Sequence, residues 1–240
     1  MLETGDDSEY NNKLEEAISK MYMEGKIMSQ IDEAYSYLLK NYNLNEPIFL
    51  SEISIPGMKS VSLRQQLKKL TEDGRLKRFD TGVYYLPKKA LFRFGSMLSP
   101  DEVIRKKYLL EDGRQCGYLS GMLLANQLGL TTQVPTTYEV YTNKATTDYR
   151  DTTVGSLRVI VRKPYVEVND NNVKALQFLD LMKEVSDVSE LRGSELTARL
   201  TAYMKASGLS FDVLERYLPY YPDRIYRKMY EVGLLIGVTT

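Results

Sequence analysis

The chain contains no histidine and a single cysteine, Cys116. That removes histidine-dependent triads, cysteine–histidine pairs, intrachain disulfides and cysteine-based zinc sites, and it disfavours most transition metals. Chemistry built on Asp, Glu, Lys or Tyr survives the filter. Glu111, Asp112, Asp148 and Asp151 have no ligand spacing, however, and read as surface loop residues. Neither Glu139-Val140-Tyr141 nor Val161-Arg162-Lys163 supplies the acidic-acidic-lysine pattern of a metal-dependent nuclease. Cys116 reads as a small buried residue rather than a nucleophile. No catalytic residue, metal or cofactor is expected.

What remains is the chemistry of positive charge. The 32 basic and 32 acidic residues cancel, so nothing global demands a polyanionic partner. Their distribution is uneven. Residues 59–78 carry seven basic side chains against two acidic ones, whereas residues 1–28 carry seven acids against three bases. A local basic stretch in a neutral protein is the footprint that nucleic-acid binding leaves. With Leu63, Leu67 and Leu70 turned inward on a helix, the outward positions are Lys59, Ser60, Ser62, Arg64, Gln65, Lys68 and Lys69. Arginine makes bidentate bonds to guanine and glutamine to adenine, so Ser60, Ser62, Arg64 and Gln65 are the base-reading candidates. Lys59, Lys68 and Lys69 suit phosphates, which set position and salt dependence. Just beyond, Lys77, Arg78 and Thr81 suit the DNA backbone or a minor groove, and Tyr84 suits a phosphate. A second group, Arg150, Arg158, Arg162 and Lys163, either extends a DNA footprint, meets RNA or an acidic partner, or simply alternates along a strand surface. Tyr226 and Tyr230, interleaved with Arg and Lys, suggest base stacking, but their four-residue spacing reads better as packing against preceding helices.

These side chains need elements to hold them. A helix is expected at about residues 12–28, acidic and suited to packing or dimerisation. A second follows at 29–41, with Ile31, Ala34, Tyr35, Leu38 and Leu39 on one face and Ser29 before an acidic first turn. Pro47-Ile48-Phe49 is extended. One or two helical turns at Leu50 to Ile53 precede a break at Pro56-Gly57. Lys59 to Thr71 forms the basic helix, capped by Ser60 or Ser62 and ended by Asp73-Gly74. Arg75 to Phe79 and Val83 to Leu86 make a hairpin around Asp80-Thr81-Gly82. The order of helix, short helix, turn, helix and hairpin is that of a winged helix-turn-helix. Further on, helices are expected at 99–110 and 117–128, and strands at 137–142 and 157–161 with a polar link between them. Helices at 171–185, 189–206, 210–218 and 223–235 complete the chain.

Two blocks resemble AbiEi-type antitoxins over about residues 30–165. In the first, a leucine-bearing helix leads to Gly74, Leu76 and Arg78 and then to Gly82 and Tyr84 of a hairpin. In the second, Gly117, Ser120, Gly121, Ala125, Leu128, Gly129 and Leu130 lead through Thr132, Gln133, Val134 and Pro135 into a strand. The resemblance implies an antitoxin of a type IV toxin–antitoxin, or abortive-infection, system. Such a protein counters a nucleotidyltransferase toxin and represses its own operon by binding promoter repeats. The acidic N-terminal helix and the long helical C-terminus depart from the family pattern.

The expected fold class is therefore α+β. Residues 1–28 form an acidic tail and helix, and 29–88 the winged helix-turn-helix DNA-binding domain. An α/β antitoxin-like domain follows at 95–165 and a helical subdomain at 166–240. The expected partners are duplex DNA, in the form of its own promoter repeats, and a second copy in a homodimer. A functional link is expected to a nucleotidyltransferase toxin, which the protein counters without necessarily binding it. The alternative is a protein-interaction adaptor, or a stand-alone winged-helix regulator without a toxin. The polar, acidic N-terminus and the absence of any apolar run near the ~20 residues needed to span a bilayer point to a cytoplasmic protein without membrane attachment.

Overall fold

A computed structural model describes residues 29–88 and 97–235, which fall into two compact units divided between Leu98 and Ser99. The helix expected at 12–28 lies outside the described residues. The protein is of mixed α+β class.

In the first unit, helix α1 (Gln30–Asn41) begins where the Ser29 side chain accepts a hydrogen bond from the Asp32 N–H. It buries Ala34 and Leu38 completely. Strand β1 (Ile48–Phe49) follows Pro47, and a single 3₁₀ turn spans Leu50–Glu52. Gly57, at φ +78°, lets the chain reverse into helix α2 (Ser60–Glu72). Neither serine caps that helix. Lys59 is the cap residue, and its ammonium has no acceptor to offer the first-turn N–H groups; the Ser62 hydroxyl, inside the first turn, donates to Gln30 Oε1 at 2.7 Å. Gly74, at φ +75°, ends α2, and Leu76 N donates to Leu70 O as the chain turns away. Strands β2 (Lys77–Asp80) and β3 (Val83–Tyr85) then form the expected hairpin. The sequence reading leaves β1 unpaired, yet it adds to the far side of β3, giving the order β1-β3-β2. Leu63, Leu67 and Leu70 meet Ala34, Leu38, Ile48, Leu76 and Leu86 in one core. Burying each such leucine contributes about 1.5–3 kcal/mol, which fixes the orientation of α2.

The second unit opens with α3 (Pro100–Ile104), capped by Ser99 and running on into a π turn at Arg105–Leu109. A small hairpin, β4 (Leu110–Glu111) and β5 (Arg114–Gln115), leads into β6 (Gly117–Ser120) and α4 (Gly121–Gln127). A helix was expected across all of 117–128, but its first four residues are a strand. Gly117 explains the difference: a Cβ there would lie 2.4 Å from Tyr108 O and 2.6 Å from Tyr141 O. The backbone is pressed flat against two carbonyls, as only a paired glycine allows. Strands β7 (Thr137–Thr142), β8 (Tyr149–Val154) and β9 (Leu157–Arg162) complete a sheet of order β6-β7-β9-β8, with β7 and β9 parallel. The polar link expected between the two predicted strands thus contains a strand of its own.

One face of this sheet carries the cross-strand row Tyr118, Tyr141, Arg162 and Tyr149. It meets α5 (Val173–Val188), in which every residue from Ala175 to Met182 is buried. The other face buries Val140, Val154, Val159 and Val161. Tyr108 of the π turn lies on that side. After α5 come α6 (Gly193–Ala206), α7 (Phe211–Glu215), a 3₁₀ turn at Leu218–Tyr220 and α8 (Arg224–Glu231). These helices share one core with the sheet, from Tyr118 to Val232.

Candidate nucleic-acid interface

A helix advances about 100° per residue, so the buried set of α2 defines its outward face. Leu63, Gln66, Leu67 and Leu70 are buried. Opposite them lies a stripe of Val61, Gln65, Lys68 and Glu72, with Arg64 on one flank and Lys69 on the other. Lys59, Ser60, Arg64, Gln65, Lys68 and Lys69 are all exposed. Lys68 Nζ stands 3.7 Å from Glu72 Oε1, one turn on. An exposed pair of this kind is worth only about 0.3–0.5 kcal/mol, so Lys68 is readily released to another anion.

Ser62 has a partner within the protein. It is half-buried at the edge of the stripe, and with Gln66 it ties α2 to Gln30 at the start of α1. Its hydroxyl positions the helix. Val61, by contrast, was not among the expected residues, yet it is 63% exposed in the middle of the stripe.

The hairpin gathers a second set. Arg78 and Tyr84 are cross-strand partners. Arg78 Nε donates to Asp80 O at 3.2 Å and Nη2 to Thr81 Oγ1 at 3.3 Å, which folds the guanidinium back over the turn. Thr81 is exposed at the tip, whereas Lys77 is half-buried and Tyr84 packs partly against the core. The structure thus assembles Arg78 and Thr81, and leaves Tyr84 with mixed duties.

The second basic group does not assemble. Arg158 and Arg162 lie on one face of the sheet, while Arg150, opposite Val161, lies on the other. Arg158 is engaged by Asp151 across the strand pair, and Arg162 by Glu139. Arg162 also stacks 5.3 Å from the Tyr149 ring centroid. Lys163 is exposed beyond the strand end. Two of the four charges are therefore offset by neighbouring carboxylates, and the three arginines are split between faces.

The expected packing of the C-terminal tyrosines holds for one of the two: the Tyr226 ring meets Phe211 of α7 edge-on at 6.1 Å, whereas Tyr230 projects outward. Tyr226 is 43% and Tyr230 68% exposed, and Ile225 and Met229 make the buried contacts of α8.

Sequence reasoning also missed a buried polar centre in the second unit. Asp180 and Lys183, one turn apart on α5, form an ion pair with side chains 0% and 8% exposed. Tyr118 donates a hydrogen bond to Asp180, as does Tyr221 at 3.3 Å. Lys183 donates to Tyr141 Oη at 2.8 Å and lies over the Tyr141 and Tyr165 rings. Burial pushes the Asp180 carboxyl above its ordinary range, and the Lys183 ammonium and the tyrosine hydroxyls oppose that shift without cancelling it. Burial also pushes the Tyr118 and Tyr221 hydroxyls up, with the Asp180 charge adding to it. The one signal for this centre is an Asp-x-x-Lys pair whose aspartate interrupts the largely apolar run Ala175–Met182. Cys116 is buried, and burial pushes its thiol up. Among the described residues no group of three or more acids or cysteines is placed to hold a metal ion, and no helix is long and apolar enough to cross a membrane.

Comparison of the chain with protein-family models and with curated proteins finds no match.

Proposed function

We propose that residues 29–88 are a winged helix-turn-helix that binds duplex DNA, and that the chain acts as a transcriptional autorepressor and antitoxin. The carrying observation is the outward face of α2. There Arg64, Gln65, Lys68 and Lys69 stand exposed on a helix whose opposite face is locked into the core. Arginine and glutamine near the start of such a helix match guanine and adenine edges in the major groove, and the lysines match flanking phosphates. Arg78 and Thr81 at the tip of the hairpin suit a backbone contact beside the helix. The antitoxin role, opposing a nucleotidyltransferase toxin, rests on the sequence resemblance. A cytoplasmic location and a homodimer on paired half-sites go with it.

The test is a salt titration of the full chain on the duplex upstream of its own gene, against a scrambled duplex. Four phosphate contacts, from Lys59, Lys68, Lys69 and Arg78, give a log–log salt slope of roughly −3 to −4 per bound chain. Arg64→Ala is expected to cost about 1–3 kcal/mol on the upstream duplex and much less on the scrambled one. Equal, weak binding to both duplexes overturns autoregulation. The antitoxin role is overturned separately if no nucleotidyltransferase gene neighbours this one, or if co-expression of the two fails to rescue growth.

A further inference from the structure

Val61 is the one apolar side chain on the outward face of α2, 63% exposed and in line with Gln65 and Lys68. Valine is a poorer helix former than alanine or lysine, because its branched Cβ is restricted against the preceding turn. On that face it also gains no burial in return. A single exposed apolar residue is ordinary on a protein surface. Its placement is the informative part: it lies in the first turn, one turn before Gln65 and flanked by Ser60 and Arg64. That is the end of a recognition helix that reaches base edges. The base edges of the major groove present hydrogen-bonding groups and one apolar group, the thymine 5-methyl. A branched aliphatic side chain offers no hydrogen bond and matches only the latter.

We infer that Val61 is a specificity residue that reads a thymine methyl group in the major groove, beside the bases read by Arg64 and Gln65. This rests on the DNA-binding reading and deepens it. Because four residues of helix span about 6 Å and stacked base pairs about 3.4 Å, the thymine lies within two base pairs of the adenine that suits Gln65. Ser62, tied to Gln30, does not compete for that position.

The experiment selects binders of the full chain from a pool of duplexes with a randomised segment, then replaces each enriched thymine by deoxyuridine, which lacks only the methyl. One replacement is expected to weaken wild-type binding about three- to fivefold, the equivalent of one buried methyl group. Val61→Ser, at an exposed site that leaves the core untouched, is expected to bind the thymine and deoxyuridine duplexes equally while keeping its preference at the Arg64 and Gln65 positions. An enriched duplex insensitive to every replacement, or equally sensitive in wild type and Val61→Ser, overturns the inference while leaving DNA binding intact. Failure to enrich any duplex overturns the DNA-binding reading itself, and this inference with it.

Discussion

A carboxylate and an ammonium taken out of water together are held by each other, and removing either leaves the other exposed to the full cost of burial. Asp180 and Lys183 are in that position. Lys183→Met is expected to lower unfolding free energy by about 3–5 kcal/mol, because the tyrosine hydroxyls alone do not balance a buried negative charge. The pair also has a pH signature. The folded-state pKa of Asp180 lies above that of the unfolded chain. Stability from this residue is therefore full below the ordinary carboxylate range and falls as pH rises through the raised value. Urea unfolding of wild type and Asp180→Asn from pH 4 to 8 should show the wild-type advantage shrinking with pH. A growing advantage would mean that Lys183 outweighs burial. On α2 the residue scale carries a different lesson, since chemical type alone reveals neither the partner of Ser62 nor the exposure of Val61. The hydroxyl is consumed by Gln30, 32 positions earlier in the chain, which helix spacing cannot reveal. The valine is overlooked because an apolar residue on an amphipathic helix is normally assigned to the core.

At the scale of elements, legibility follows how fully a segment's pattern depends on its own side chains. Helices α1 and α2 are legible because a regular apolar stripe on each meets the other, with Gly74 as the stop between α2 and the hairpin. Strand β6 is not, because Gly117–Ser120 runs straight into the apolar α4, and periodicity cannot divide so short a run. Strand β8 is not, because it is a sheet edge with Tyr149, Arg150, Asp151 and Thr153 exposed, so no apolar alternation marks it. The two kinds of glycine make this testable. Gly74 has φ +75° and nothing within 4 Å of a would-be Cβ, so Gly74→Ala meets backbone strain alone, about 1–2 kcal/mol. At Gly117 the obstacle is two backbone carbonyls at 2.4 and 2.6 Å, which cannot rotate away. Gly117→Ala must separate β6 from β7 or from the π turn, at a cost of about 3 kcal/mol or more. Thermal unfolding of the two variants should place Gly117→Ala clearly lower, and the reverse order would mean that the strand is not pressed against those carbonyls.

For the whole molecule, the question is which stretches of chain can fold by themselves. The core of the first unit draws its buried apolar residues from positions 34–86. The second unit is different. Its sheet, at 117–162, lies against α5, whose Leu176, Phe178, Leu179, Leu181 and Met182 are all 0% exposed. Burying five side chains of this size contributes about 1.5–3 kcal/mol each, comparable to the entire 5–15 kcal/mol net stability typical of a domain. The sequence suggests a boundary near residue 165, since strands stop and helices begin there. Packing makes those helices the other half of the sheet's core. A fragment spanning 99–165 is therefore expected to lack a cooperative thermal transition and to bind a hydrophobic dye. A fragment spanning 99–235 should melt in one step, and so should 29–88. Cooperative melting of 99–165 would mean that the sheet closes its core with α3 and α4 alone. In that case the C-terminal helices would be free to serve a partner rather than to complete the fold.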